Sequence, residues 1–238
     1  MYYERHDYAK AQPLYEGYVN ANQKVSKEIL YELSFCYYKT KNNAKAMMLH
    51  GVAGSGKTFI ALYKALEEVM DKGNNIDRVV IVRSAVPSRD IGHLPGDEKE
   101  KTDVYVAPYK AICEELFKNH QAYERLVEQK YIEFMITSYV RGITINNAII
   151  IVDECQNMQF SELSSIMTRV GENSKIIFCG DFKQTDLNKK HDQSGLRDFM
   201  KIIDKMPSFR YVEFEIEDIV RSNLIKEFII ANLHIQTT

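Results

Sequence analysis

The stretch GVAGSGKT, residues 51–58, decides the fold. Gly51, Gly56, Lys57 and Thr58 stand at the spacing of a phosphate-binding loop, with Val52, Ala53, Gly54 and Ser55 between them. The residue types follow from the chemistry. Glycines let successive backbone N–H groups converge on phosphate oxygens with no Cβ in the way. A helix starting near Lys57 aims the positive end of its dipole at the same point. Lys57 is the candidate for the β- and γ-phosphates, and the Thr58 hydroxyl for a Mg2+ ligand. Taken alone, the stretch is also the composition of a flexible loop, so its flanks matter.

The flanks fit. AMMLH (46–50) is a short apolar strand that runs into the loop. Residues 57–71 carry Ile60, Leu62, Tyr63, Leu66 and Met70 at helical spacing. Further strands are expected at VVIV (79–82), YIEFMITS (131–138), AIIIVDE (148–154), KIIFCGD (175–181) and YVEFEI (211–216). Helices are expected at 22–39, 112–120, 161–170 and 217–233. Uniformly apolar strands alternating with helices indicate a parallel sheet covered on both faces. There is room for one such sheet. The expected fold is α/β, a single RecA-like P-loop NTPase domain over 21–238, with residues 1–20 as an N-terminal arm.

Composition narrows the class. The chain has 238 residues, 45% of them hydrophobic, enough for a sizeable core. The net charge is −2, so any basic groove must be local. Cys36, Cys113, Cys155 and Cys179 are widely spaced, without zinc-ligand spacing, and read as reduced thiols of a cytoplasmic protein. The tyrosine-rich N-terminus lacks the apolar run of a signal peptide. No apolar run reaches the roughly 18 residues of a membrane span.

Downstream, IIIVDEC (149–155) ends an apolar strand in Asp153-Glu154. Paired carboxylates at a strand tip suit one metal-linked role and one base role. Asp153 is the candidate to hold Mg2+ through water, and Glu154 to polarise an attacking water. The next strand turns at Gly180-Asp181, on the edge where open α/β sheets bind ligands. Gln184, just beyond, is a candidate to sense the γ-phosphate. A nucleotide kinase shares the phosphate loop, but VRSAVPSRD (82–90) has no recognisable lid hairpin. Hydrolysis coupled to motion is the favoured reading.

At this point the motifs resemble the PhoH-like family of P-loop ATPases. The resemblance covers roughly residues 20–235. It is carried by NQ (22–23), GVAGSGKT, VRSAVPSRDIGHLPGDEKEK (82–101), YVRGITINNAIIIVDECQN (139–157), GDFKQTDL (180–187), SGL (194–196) and EDIVRSNLI (217–225). Cys155 stands where the family usually shows Ala. The N-terminal arm is read as having no family counterpart, and the chain is expected to be a compact form with no nuclease or separate RNA-binding module attached. This compact form resembles versions carried by bacteriophages, which would place it in a host cytoplasm.

The resemblance implies ATP and Mg2+ as cofactors and a core related to superfamily 1 helicases. It implies a ring-shaped homo-oligomer, expected as a hexamer, acting on RNA or single-stranded nucleic acid as a helicase or translocase. An alternative is an ATP-gated switch that signals to a protein partner without unwinding. A single lobe holds half a helicase site, so the resemblance points to an arginine finger from a neighbouring subunit. Arg221 matches the family motif for it, although it could equally pair with Glu217 or Asp218 on its own helix. Arg141 is a second candidate, as a finger or a phosphate-side contact. Gln23 is a candidate to read adenine, because an amide donates and accepts at once. A helix-cap or helix-surface role competes.

For nucleic acid, the basic stretch Lys183 to Arg210 is interleaved with aspartates and reads first as a solvated face. Lys99, Lys101, Tyr105, Tyr109 and Lys110 could pair phosphate contacts with base stacking, or the tyrosines could be packing residues.

Overall fold

The structure is a computed structural model that describes residues 7–21, 29, 32, 46–71, 73, 75–84, 98–181 and 192–236. Six strands form one parallel sheet: β1 (Ala46–Gly51), β2 (Arg78–Arg83), β3 (Ile132–Ile136), β4 (Ala148–Asp153), β5 (Lys175–Gly180) and β6 (Phe209–Phe214). Their order across the sheet is β3-β2-β4-β5-β1-β6. Among the described residues the helices are α1 (Tyr8–Ala21), α2 (Lys57–Met70), α3 (Glu98–Phe117), α4 (Ala122–Glu128), α5 (Phe160–Met167), α6 (Asp192–Ile203) and α7 (Asn223–Gln236).

Side-chain alternation divides the core into two layers. From β4, Ile149 and Ile151 pack on one face with Leu62 and Leu66 of α2 and Tyr109 of α3. Ile150 and Val152 point the other way, toward Leu163 of α5 and Phe199 of α6. A strand buried on both faces has no polar position to spare, which is why β4 reads as a continuous apolar run.

The expected strands are all present, with β6 displaced two residues toward the N-terminus. The expected helix at 112–120 is the C-terminal part of the longer α3, whose start is too polar to show an apolar stripe. The expected 217–233 helix divides into a 3-10 turn at Ile216–Asp218 and α7. The proposed arm contains α1, which holds Pro13. Its Tyr8 packs against the first core layer, and Tyr15 donates a hydrogen bond to Glu32. Beyond Ile29 and Glu32, the expected 22–39 helix lies outside the described residues.

Gly51 shows how tightly the sheet end is built. Its φ is +130°, and a Cβ there would stand 2.0 Å from the Phe214 carbonyl oxygen in the neighbouring strand. Gly51→Ala therefore combines backbone strain with a backbone clash. It should destabilise the fold by about 2–3 kcal/mol. Thermal or denaturant melting of the variant checks this, and an unchanged midpoint would contradict the packing described.

Candidate nucleotide site

All strands of a parallel sheet present their C-terminal ends on one edge, and here four of those ends meet. Gly51 at the end of β1 opens the loop into α2. Gly54 and Gly56 follow at φ of +76° and +83°, left-handed conformations that cost glycine nothing. Ser55 Oγ donates to the Val52 carbonyl at 2.8 Å and tightens the turn. Lys57 starts α2 and folds back across the loop, donating to the carbonyls of Gly51 at 2.9 Å and Val52 at 2.7 Å. Burial pulls the Lys57 ammonium below its ordinary pKa. The nearby charges of Asp181, Glu154 and Asp153 oppose that.

Thr58 Oγ1 donates to Asp153 Oδ1 at 2.7 Å, joining two motifs that stand 95 residues apart. Asp153 is 3% exposed. Burial pushes its carboxyl above the usual range, with the Glu154 charge adding to the rise. The Thr58 and Tyr109 hydrogen bonds hold it down. The donor chemistry suits Mg2+, a hard cation that keeps several waters and takes few protein oxygens. Thr58 and Asp153 would supply those oxygens beside a phosphate. Among the described residues no cluster of three or more His, Cys, Asp and Glu side chains could hold a metal unaided.

Glu154 sits in the left-handed region, φ +52°, a costly conformation for a residue with a Cβ. At this turn the chain leaves β4 for the 3-10 segment Cys155–Asn157. Gln156 fixes the result: its Nε2 donates to Glu154 Oε2 at 2.6 Å, while its Oε1 accepts the Asp181 N–H at 3.2 Å. One amide thus ties the β4 tip to the β5 tip. Gly180 is needed for this approach, since a Cβ there would come 2.6 Å from Cys155 Sγ. Cys113, Cys155 and Cys179 are buried free thiols.

The loop is braced from behind. Val220 N–H donates to the Gly54 carbonyl at 3.1 Å. A Cβ on Gly54 would lie 3.0 Å from Arg221 Cγ and 3.5 Å from Ile229 Cδ1. The base of the Arg221 side chain therefore packs against the phosphate loop of its own chain, and the residue is otherwise exposed. Arg141 is exposed on a turn after β3. That strand is four positions from β1 in the sheet, about 19 Å at the usual spacing. Gln184 and Gln23 lie outside the described residues.

The basic segments look different in three dimensions. Tyr109 is 0% exposed and has no face free for a base. Lys110 bridges Glu124 at 3.1 Å and Asp103 at 3.6 Å. Lys201 pairs with Asp198, and Arg210 donates to the Pro207 and Phe209 carbonyls. Lys183, Lys189 and Lys190 lie outside the described residues, as do the side chains of Lys99 and Lys101. Three site residues had no role assigned from the sequence: Tyr109, left open between stacking and packing, and Arg83 and Gln156, which stand inside the stretches 82–101 and 139–157.

Comparison with known proteins agrees with this geometry. A family model described as PhoH-like protein matches residues 35–232. The chain is 37% identical over 183 residues to a PhoH-like protein of Bacillus subtilis (strain 168), covering 76% of this chain and 56% of that one. It is 34% identical over 195 residues to Protein PhoH of Escherichia coli (strain K12), covering 81% and 54%. The chain thus spans little more than half the length of these curated relatives. Among solved structures, the large terminase from a thermophilic bacteriophage matches with a TM-score of 0.50 at 13% identity, over 87% of this chain and 50% of that one. That likeness is one of fold.

Proposed function

Because this chain belongs to the PhoH-like protein family, we propose that it binds ATP with Mg2+ at the P-loop edge of its sheet and hydrolyses it. The observation that carries this reading is the 2.7 Å bond between Thr58 and Asp153, which puts a metal-ligand hydroxyl and a carboxylate in one place. Backbone N–H groups of residues 52–58 cradle the phosphates. Lys57 exchanges its two carbonyl partners for β- and γ-phosphate oxygens, which are stronger acceptors. Mg2+, when bound, neutralises charge on the phosphates. Glu154, aimed by Gln156, orients and deprotonates the attacking water. Gln184 is assigned the γ-phosphate and Gln23 the adenine edge. Phosphate release from ATP, measured with Mg2+ and with EDTA, tests the reading. No release under either condition would sink it.

Arg221 serves the nucleotide of its own chain in this reading. Arg221→Ala should lower turnover about tenfold, the loss of one long-range cation worth about 1.4 kcal/mol. Mixing Arg221→Ala with Glu154→Gln subunits separates the two directions of reach. A side chain acting in its own chain gives no recovery, because no subunit then holds both groups. Recovery in mixed assemblies would return Arg221 to the neighbour's site.

The motion driven by this hydrolysis is assigned to a ring of identical subunits, a hexamer, moving along RNA or single-stranded DNA. The family motifs support this, and so does the exposed apolar face of α7, where Leu224 is 77% and Phe228 70% exposed. Among the described residues no helix is long and apolar enough to cross a membrane. Stimulation of ATP hydrolysis by single strands, weakening as salt rises, is the expected result. The same apolar face also favours the second reading, a switch that passes its signal to a protein, and absence of any nucleic acid effect would select it.

A further inference from the structure

Asp153 offers one oxygen to each of two hydroxyl donors. Thr58 takes Oδ1, and Tyr109 donates to Oδ2 at 2.8 Å. The first bond belongs to the metal site proposed above. The second comes from α3, 44 residues earlier in the chain, and no motif contains it. Tyr109 is fully buried, its ring 5.9 Å from that of Phe134. A phenylalanine would fill the same volume, so packing does not account for the hydroxyl.

A third residue places a positive charge beside the bond. Arg83, at the end of β2, is the Cα partner of Asp153 across the β2–β4 ladder. Its guanidinium lies 5.8 Å from the Tyr105 ring, and its positive charge acts on both the Tyr109 hydroxyl and the Asp153 carboxylate. A carboxylate only accepts, so the phenol hydrogen goes to Asp153. Tyr109 and Thr58 are then both donors to one carboxylate.

We propose that Tyr109 is a positioning residue of the nucleotide site: its hydroxyl locks the Asp153 carboxylate with Oδ1 beside Thr58, and so sets the affinity for nucleotide-bound Mg2+. This rests on the Mg-nucleotide reading above. Without the lock, a buried carboxylate loses a donor and gains freedom to rotate about its last torsion. Metal-dependent binding weakens. Binding through the loop amides and Lys57 does not involve Tyr109 and stays as it was.

The test is titration of Tyr109→Phe with a fluorescent ADP analogue, at stepped Mg2+ concentrations and in EDTA. ADP removes hydrolysis from the readout. The variant should need about tenfold more Mg2+ for half-maximal tightening, with its affinity in EDTA unchanged; one lost hydrogen bond of about 1.4 kcal/mol has that effect. An unaltered Mg2+ requirement overturns the proposal, as does an equal loss with and without Mg2+, which is what a purely structural tyrosine would produce. If Tyr109→Phe does not fold, the double variant Tyr109→Phe, Asp153→Asn decides. Removing the stranded charge should restore folding, and failure to do so overturns the proposal. A wild-type protein that binds no ADP under any condition overturns the nucleotide reading itself, and this role with it.

Discussion

Glu154→Gln leaves nucleotide binding intact and lowers hydrolysis by about 10²–10⁴-fold. The substitution keeps the length and planarity of the side chain but removes its capacity to accept a proton. Binding is expected to survive because the phosphate contacts belong to the loop amides, Lys57 and Thr58, not to Glu154. The backbone at this position is already committed. Its φ of +52° is set by the turn between β4 and the 3-10 segment, where the Asn157 N–H donates to the Glu154 carbonyl at 2.9 Å. The amide of Gln156 still finds an oxygen to bond. Phosphate release and ADP-analogue affinity, measured on the same preparation, check both halves. A variant that hydrolyses at the wild-type rate would remove Glu154 from the mechanism. One that fails to bind would show that its role is structural.

Lys57→Ala should lower kcat/KM by at least about 10³-fold, the scale found when one preorganised donor is removed from a developing oxyanion. Unlike Glu154, Lys57 contributes to the ground state as well as to the transition state, so affinity should fall together with turnover. The fold should hold. Lys57 Nζ bonds to the Gly51 and Val52 carbonyls and to Ser55 Oγ at 3.3 Å, all within the phosphate loop, so no contact between distant elements is lost. Far-UV circular dichroism and melting separate lost binding from lost structure. Wild-type affinity in a folded variant would mean that the loop amides suffice and that Lys57 serves another end.

Much of this site is legible in the sequence because its parts are local. A loop of eight residues that cradles phosphate must carry its glycines, lysine and threonine at fixed spacing, since one turn and one helix start position them all. Asp153-Glu154 is legible for a related reason: the apolar run of β4 ends where the chain reaches solvent, and acids at that point stand out. The helix α1 was not legible, because its polar, tyrosine-rich residues show no apolar stripe and an internal proline argues against it. Arg221 was marked by its motif, but its contact with the phosphate loop of its own chain was not legible. Whether a side chain on the segment before α7 touches that loop depends on how β6 lies beside β1, and pairing across a sheet leaves no mark at a single position.

The sequence by itself determined the fold class, the six apolar strands, the phosphate loop and the two carboxylates that follow it. Each of these is written in residues near one another in the chain. The tertiary structure alone decided that Thr58 meets Asp153, that Tyr109 is a buried donor and not a stacking platform, that Gln156 ties two strand tips together, and that Arg221 touches the phosphate loop. Those facts depend on strand order. With β4 and β5 inserted between β2 and β1, residues distant in the chain become neighbours at one edge. Local spacing carries no information about that order, because it is set by which apolar faces bury each other when the whole sheet closes.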